Sequence, residues 1–266
     1  MRILIAALAA TCLAGPASAA SNAFFFEGVL GGGAGEISVE EAGSNPDLSF
    51  NEAFVDLTLN LGAVRIANIP YSEAQFLNHS SFISYSQVNL SSDDAEDQTS
   101  QILSGRYVLK SGLFFKAIAD VDADDTDNSI YEVQIGKYTG DNTSVFAGYV
   151  VDDVDDVNVF TFGLEHTTPY RSGNSWIAYD AGGRYLTEGA DTEYAINLGV
   201  TYYPGFATTL GILYEFTDGR LTEAHETNLF AEYYLSPRFA VRADIATFRF
   251  ANVDENSAGA SLQVRF

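Results

Sequence analysis

The sequence contains little cysteine, tryptophan or proline: one, one and six of 266 residues. The single cysteine, Cys12, lies in an apolar N-terminal stretch, so the remaining chain offers no thiol for catalysis and no disulfide framework. Basic residues are also scarce, with 13 Lys and Arg against 36 Asp and Glu and a net charge of −23. Because such a charge repels a phosphate backbone, we expect no nucleic-acid partner.

Long apolar runs are absent as well. A transmembrane helix needs roughly 18 to 20 consecutive apolar residues, and the longest run here, residues 3–13, is shorter. It follows Arg2 and precedes Ala17-Ser18-Ala19, an arrangement typical of a secretory signal peptide. We therefore predict a signal peptide over residues 1–19 and a mature chain over 20–266. The alternative, a lipoprotein acylated at Cys12, is disfavoured because the preceding Ala-Ala-Thr matches the required motif poorly.

What the sequence does contain is a regular alternation of apolar and polar residues. In the last ten residues the apolar side chains fall on every second position, ending with Leu262, Val264 and Phe266. A period of two predicts a β-strand with one apolar and one polar face. A last strand that ends on an aromatic residue resembles the closing strand of bacterial outer-membrane β-barrels. That resemblance implies that Phe266 is the assembly signal and that the barrel-assembly machinery is a partner.

The same alternation recurs along the whole mature chain. No segment of useful length has helical periodicity, and Tyr71–Leu77 comes nearest to it. Strands of about nine to eleven residues suit a tilted crossing of the hydrocarbon layer. The predicted strands, fourteen in all, lie at residues 23–33, 52–62, 80–90, 101–109, 113–121, 129–138, 144–151, 157–166, 175–186, 193–202, 208–216, 227–235, 239–249 and 257–266.

The connections between these strands alternate in character. Tight turns such as Lys110-Ser111-Gly112 and Ser236-Pro237-Arg238 alternate with acidic connections such as 91–97, 187–191 and 217–226. Tight periplasmic turns and longer polar extracellular loops are typical of outer-membrane barrels. The alternation predicts an even strand number and both termini on the periplasmic side.

A soluble β-sandwich would show turns at similar intervals. The signal peptide, the terminal aromatic residue and aromatic residues at strand ends favour the membrane instead. We predict an all-β protein, a transmembrane antiparallel up-and-down β-barrel of about 14 strands, with 12 as the alternative. The aromatic residues predicted to sit in the two interfacial girdles are Tyr202, Tyr203, Tyr233, Tyr234, Phe248 and Phe250.

Two passages resemble a family of general porins from Gram-negative bacteria. Pro70 to Leu77 (PYSEAQFL), followed by a Ser-rich strand from Ser80, is similar to the family's P-L-A-E-A-A-F-L…S-S-V-S segment. Tyr138 to Tyr149 (YTGDNTSVFAGY), with Phe162-Gly163-Leu164 after it, is similar to the family's Y-Y-L-T-D-N-T-S-V-G-Y…Y-G-L-G hairpin.

This resemblance, from which Tyr71 and Gln75 depart, implies both location and function. The expected location is the outer membrane of a Gram-negative bacterium, in contact with membrane lipid and lipopolysaccharide. The expected function is that of a porin, a passive diffusion channel for small hydrophilic solutes that is not an enzyme and needs no cofactor. General porins are often homo-oligomers, and no residue pattern here marks such an interface.

Charged residues on the polar face of the predicted strands are candidates for lining the pore. A surplus of carboxylates would favour cations, as rings of carboxylates do in channels. The alternative is that these charges pair with one another and fill a narrow barrel. The candidates, nine acids and five bases, are Asp56, Arg106, Lys116, Asp120, Glu132, Glu165, Asp180, Arg184, Glu193, Glu215, Glu232, Arg242, Asp244 and Arg265.

Two other functional classes stay open. One is a structural or adhesive outer-membrane barrel without an open pore. The other, less favoured, is an outer-membrane hydrolase, for which His225 beside Glu223 and Glu226 is the candidate base. No serine stands in a nucleophile motif, so the sequence predicts no catalytic residue.

The acidic connections suggest a metal site only weakly. Asp120, Asp122 and Asp124 have D-x-D-x-D spacing, but Asp125 stands where a calcium-binding EF-hand loop has glycine. We therefore predict no metal ligand among these residues. A weak divalent-ion site between the acidic loops and lipid phosphates stays open.

Overall fold

The computed structural model describes residues 23–39, 47–92, 97–122, 129–152, 158–170, 174–188, 191–219, 223–251 and 253–266. It is a closed barrel of fourteen antiparallel strands. The predicted fold class and strand number are confirmed, and the alternative of twelve strands is wrong. The predicted signal peptide, residues 1–19, lies outside the described residues.

The strands are longer than the sequence pattern indicated, and one helical turn, α1, lies between β2 and β3. The described residues contain no helix that is long and apolar enough to span a membrane. The elements are β1 (Ala23–Val39), β2 (Asp47–Arg65), α1 (Ala74–Leu77), β3 (Phe82–Ser92), β4 (Gln98–Val108), β5 (Leu113–Asp122), β6 (Ser129–Tyr138), β7 (Thr143–Asp152), β8 (Asn158–Pro169), β9 (Trp176–Glu188), β10 (Asp191–Gly205), β11 (Thr208–Gly219), β12 (Glu223–Ser236), β13 (Phe239–Phe250) and β14 (Val253–Arg265).

Each strand pairs with its neighbours in sequence, and β1 pairs with β14 to close the barrel. The register across this seam is unbroken from Glu27 opposite Arg265 to Val39 opposite Val253. Beyond it, the carbonyl of Phe266 accepts hydrogen bonds from the amides of Phe25 and Phe26 at 2.6 and 3.0 Å. A lipid environment requires this closure because water cannot satisfy an open strand edge there.

Phe266 lies at the end of the seam, with its ring centroid 6.3 Å from that of Phe26. We expect Phe266→Ser to lower the amount of folded barrel in the membrane several-fold, while the ion conductance per inserted barrel stays the same. Heat-modifiability on gels measures the first quantity and planar bilayers measure the second. Leu262→Ser, on the same strand and face, is the matched control, and an equal loss there would contradict a special role of the terminal residue.

The two faces of the wall differ as the alternation predicts. Tyr202 is 37% exposed whereas the next residue, Tyr203, is 1% exposed, because successive side chains of a strand point to opposite faces. The exposed apolar side chains, such as Leu198 and Leu262, form an outer face suited to lipid. The opposite phase forms the inner face, which lines the lumen.

The six strand-end aromatic residues divide between these faces, and the prediction that all of them face lipid is wrong. Tyr202 and Tyr233 are exposed on the outer face. Tyr203 and Tyr234 are almost fully buried and point into the lumen, since only one residue of two consecutive ones can face lipid. The inner phase also holds Phe248 and Phe250.

Two of the acidic connections at the end opposite to the termini are shorter than predicted. β11 continues to Gly219 and β12 starts at Glu223, both within the connection predicted over 217–226. The same holds for residues 187–191, where β9 and β10 extend into the predicted loop. Acidic residues do not end a strand here because the antiparallel backbone pairing continues through them.

Candidate functional site: the lumen and its inner segment

All of the predicted pore-lining residues occupy the inner phase of their strands. Register pairs bring several of them face to face, such as Arg106 with Lys116 and Glu165 with Asp180. The full set lies on eleven of the strands, at Asp56, Arg106, Lys116, Asp120, Glu132, Glu165, Asp180, Arg184, Glu193, Glu215, Glu232, Arg242, Asp244 and Arg265.

Acidic residues that were not among the pore-lining candidates also lie on the inner face of their strands. Glu52 lies four residues before Asp56, so the same period of two could have identified it. Glu27 lies opposite Arg265 across the seam. Glu226 and Glu255 lie on the same phase of β12 and β14. The inner face is therefore more acidic than predicted.

Two of the inner-face arginines each lie next to a carboxylate. The Arg184 guanidinium lies 3.0 Å from a carboxylate oxygen of Glu215. The Arg242 Nε lies 3.8 Å from a carboxylate oxygen of Asp244. Since each base has an acid beside it, its positive charge acts only weakly on a solute in the lumen.

Arg265 is paired more tightly. Its side chain is 2% exposed, and its Nε donates to a carboxylate oxygen of Glu27 at 2.5 Å. The guanidinium also lies over the rings of Phe24 and Tyr234, 4.6 and 4.9 Å from their centroids, which adds cation–π attraction. A third contact, from Nη1 to the carbonyl of Tyr71 at 2.7 Å, ties the barrel seam to the connection between β2 and β3.

Arg106 and Lys116 differ from these three bases. Neither forms an ion pair within 4.0 Å in the part of the chain that the structure describes. Arg106 Nε donates to the carbonyl of Ser80 at 3.2 Å, and its guanidinium lies 5.0 Å from the centroid of the Phe82 ring. These two cations therefore present their charge to the lumen.

The connection between β2 and β3, residues 66–81, enters the barrel at the end that holds the termini. We call it the inner segment. The amide of Tyr71 donates to the carbonyl of Phe206 at 3.0 Å, in the turn between β10 and β11. The hydroxyl of Ser72 lies 3.0 Å from that of Thr209, on the inner face of β11. The segment thus reaches across the lumen from β2 to the far wall.

Apolar packing and a second set of polar contacts hold this segment inside. Ala74, at the start of α1, is buried in a cluster with Phe24, Val64 and Ile66. At the other end of the segment, His79 stacks on the inner-face ring of Tyr138 with centroids 3.8 Å apart. His79 therefore lies against the wall of the lumen.

Glu73 is the main polar anchor of the inner segment. Its carboxylate accepts hydrogen bonds from the hydroxyl of Tyr203 and, at 3.0 Å, from that of Thr167. Burial raises the pKa of Glu73 above its ordinary value, the nearby carboxylates of Glu165 and Asp180 raise it further, and the two hydrogen bonds act in the opposite direction. No strand periodicity signals this residue, so sequence reasoning missed it.

A cavity of about 480 Å³ lies between the inner segment and the barrel wall. The inner segment contributes Glu73 and Gln75 to its lining, and the wall contributes Arg106, Glu165 and Asp180. Acids and a base thus surround a space large enough for a small solute.

Several phenylalanine rings lie against the inner wall over a glycine that stands directly opposite on the next strand. A Cβ atom at any of these glycines would overlap the ring, so the ring occupies space at the wall that a side chain would otherwise fill. Gly31 belongs to the glycine-rich run of β1. Pairs of this kind are Gly31 with Phe54, Gly35 with Phe50, Gly136 with Phe114, Gly163 with Phe146 and Gly211 with Phe230.

His225, the candidate base of the hydrolase alternative, lies on the outer phase of β12. Its Nδ1 is 2.8 Å from the hydroxyl of Tyr214, and its Nε2 is 3.2 Å from a carboxylate oxygen of Glu223. The hydroxyl beside this histidine is therefore a phenol, and the imidazole lies near the rings of Tyr214 and Phe216, with centroids 6.2 and 5.1 Å away. The lumen does not include this site.

The D-x-D-x-D run falls only partly within the described residues. Asp120 lies on the inner phase of β5 and accepts a hydrogen bond from Ser100 at 2.7 Å, whereas residues 123–128 lie outside the described part. Across the described ranges no group of three or more His, Cys, Asp or Glu residues is placed to hold a metal ion.

A closed antiparallel barrel with an apolar outer face and a charged inner face defines the outer-membrane β-barrel class. The fold is similar to that of the outer membrane protein Omp33 of Acinetobacter baumannii, with a TM-score of 0.69 and 18% identity over 93% of this chain and 100% of that one. At this identity the similarity shows the fold. It confirms, at that level, the predicted resemblance to outer-membrane barrels.

Lower scores relate the chain to two further barrels. An anion-selective porin from Comamonas acidovorans aligns at 11% identity over 91% of this chain and 98% of that one, with a TM-score of 0.46. OprD of Pseudomonas aeruginosa aligns at 10% identity over 94% and 97%, also with a TM-score of 0.46. No protein-family model matches the sequence, and no curated protein matches it.

Proposed function

We propose that this protein is an outer-membrane porin, a passive diffusion channel for small hydrophilic solutes with a preference for cations. The observation that carries the proposal is the composition of the inner face around the cavity. Carboxylates predominate there, and the cavity they surround has room for a small solute. The outer-membrane barrel fold supports the location.

The cation preference follows from how the inner charges are paired. Arg184, Arg242 and Arg265 each lie beside a carboxylate, which leaves Arg106 and Lys116 as the inner bases that act on solutes. The inner acids outnumber them, and fixed carboxylates along a low-dielectric wall attract cations and repel anions. Selection of solutes by size would occur at the inner segment, because this segment crosses the lumen.

A second candidate, a structural or adhesive barrel without an open pore, is favoured by one observation. The inner segment binds the inner faces of β8, β10 and β11 and the β14 residue Arg265, and a segment held at so many points could close the lumen. Conductance separates the two functions.

We expect the refolded mature protein to produce discrete conductance steps in planar bilayers, with a reversal potential in a KCl gradient that indicates K⁺ preference. Combined Glu132→Gln, Glu165→Gln and Asp180→Asn should lower the K⁺/Cl⁻ permeability ratio several-fold, because three inner carboxylates lose their charge.

The control for this experiment neutralises acids on the outer face, with Asp218→Asn, Glu223→Gln and Asp254→Asn combined, and should leave the ratio unchanged. Absence of conductance steps would favour the barrel without an open pore. A reversal potential that indicates Cl⁻ preference would show that the inner acids do not govern permeation.

A further inference from the structure

The cavity beside the inner segment has its positive and negative side chains on separate parts of the wall. Arg106 on β4 and Lys116 on β5 form one pair, and Glu165 on β8 and Asp180 on β9 form the other. β6 and β7 separate the two pairs, so β5 and β8 lie roughly 14 Å apart along the wall at about 4.8 Å per strand. Because the wall curves around the lumen, Arg106 from one pair and both acids of the other pair line the same cavity.

On the positive side of the cavity, Arg106 has N–H donors that can bind a ligand. Arg106 uses its Nε for the carbonyl of Ser80 and packs its guanidinium over Phe82 and Phe114. A guanidinium carries five N–H donors, and within the described ranges no carboxylate accepts from those of Arg106. An incoming carboxylate would find this guanidinium at the cavity wall, with Lys116 as its register neighbour on β5.

The negative side lacks a cation. Glu165 accepts a hydrogen bond from the hydroxyl of Ser144 at 3.0 Å, and Asp180 stands directly opposite it in the β8–β9 register. Neither acid forms an ion pair with a described residue. Two carboxylates side by side repel each other, and an ammonium group placed between them would relieve that repulsion.

The inner segment supplies a further polar group. The Nε2 of Gln75 is buried without a hydrogen-bond partner, and Gln75 lines the same cavity. A buried donor of this kind is costly unless an acceptor occupies the space in front of it. A carboxylate oxygen of a bound solute would be such an acceptor.

We infer that this cavity is a binding site for small zwitterions, solutes of the amino-acid class that carry one carboxylate and one ammonium group. The inference rests on the proposed channel function and names a solute class for it. An anion meets Glu165 and Asp180, and a cation meets Arg106 and Lys116, so a singly charged solute satisfies only one side. A zwitterion satisfies both, and about 480 Å³ lies within the usual range of ligand pockets, roughly 300–1,000 Å³.

The test is block of the K⁺ current through the wild-type channel by γ-aminobutyrate, compared with butyrate and butylammonium, which carry one of its two charges each. We expect saturable block by γ-aminobutyrate at a concentration at least tenfold below that needed for either singly charged solute. Arg106→Gln, and separately Glu165→Gln with Asp180→Asn, should each raise that concentration at least tenfold. Arg106→Lys should preserve part of the block because it keeps the charge.

A matched control removes one cation and one carboxylate from the outer face. Arg249→Gln combined with Asp254→Asn breaks an ion pair of 2.7 Å there and should leave the block unchanged. If an inner-face variant fails to fold, the comparison of the three solutes on the wild-type channel still decides.

The possible outcomes separate this inference from the function on which it rests. Conductance without saturable block by γ-aminobutyrate overturns the zwitterion site and leaves the channel in place. Equal block by butyrate or by butylammonium also overturns it, since the cavity would then bind a single charge. Absence of conductance overturns the channel itself.

Discussion

Replacing residues 69–79 with a short Gly-Ser linker is expected to raise the single-channel conductance several-fold. This change removes the part of the inner segment that crosses the lumen, including Glu73 and its hydrogen bonds to Tyr203 and Thr167. The narrowest part of a channel dominates its resistance, so opening this part should have a larger effect than any change of wall charge. Planar bilayers measure the result.

The same variant should still form a barrel, because the strand pairing of β2 with β3 begins at Asn60 opposite Phe82, beyond the replaced residues. Heat-modifiability on gels checks this. Ser72→Ala, which removes one hydroxyl contact to Thr209 and leaves the segment in place, is the control and should change conductance little. An unchanged conductance in the linker variant would show that the constriction lies elsewhere in the lumen.

Arg265→Met is expected to destabilise the barrel by about 3 to 5 kcal/mol, the range found when one partner of a buried ion pair is removed. Glu27 would keep a buried carboxylate without its partner, and the contact to the carbonyl of Tyr71 would also be lost. Urea-induced unfolding of the barrel in lipid vesicles measures the change.

Two comparisons separate burial from ion pairing as such. Adding Glu27→Gln to Arg265→Met should recover much of the loss, since no unpaired charge then remains. Arg249→Met breaks an ion pair with Asp254 in which the arginine side chain is 71% exposed, and it should cost at most about 1 kcal/mol. Equal costs for Arg265→Met and Arg249→Met would mean that water reaches Glu27.

Several features of this fold could be predicted from the sequence because they depend on neighbours in the chain. The opposite orientation of Tyr202 and Tyr203 is a local property of an extended backbone. The same alternation placed all fourteen pore-lining candidates on the inner face of their strands. The prediction that Tyr233 and Tyr234 both face lipid is wrong, because the side chains of consecutive strand residues point to opposite faces.

The candidate site could be predicted only in part. Arg106, Glu165 and Asp180 were identified as inner-face charges, but no pattern indicated that they share one cavity. Glu73 and Gln75 lie in a connection without periodicity, and the short run Tyr71–Leu77 gave no sign that it would fold into the lumen rather than remain outside.

The sequence by itself determined the strand number, the order of the strands and the face on which each side chain lies. Lipid requires a closed barrel with an apolar outer face, and the alternation of apolar and polar residues that produces this face is a local property of the sequence. Only the tertiary structure decided which inner charges are paired, where the inner segment binds and which side chains surround the cavity. These outcomes depend on contacts between residues far apart in the chain, such as Glu73 with Tyr203 and Glu27 with Arg265, and such contacts arise only when the barrel has closed.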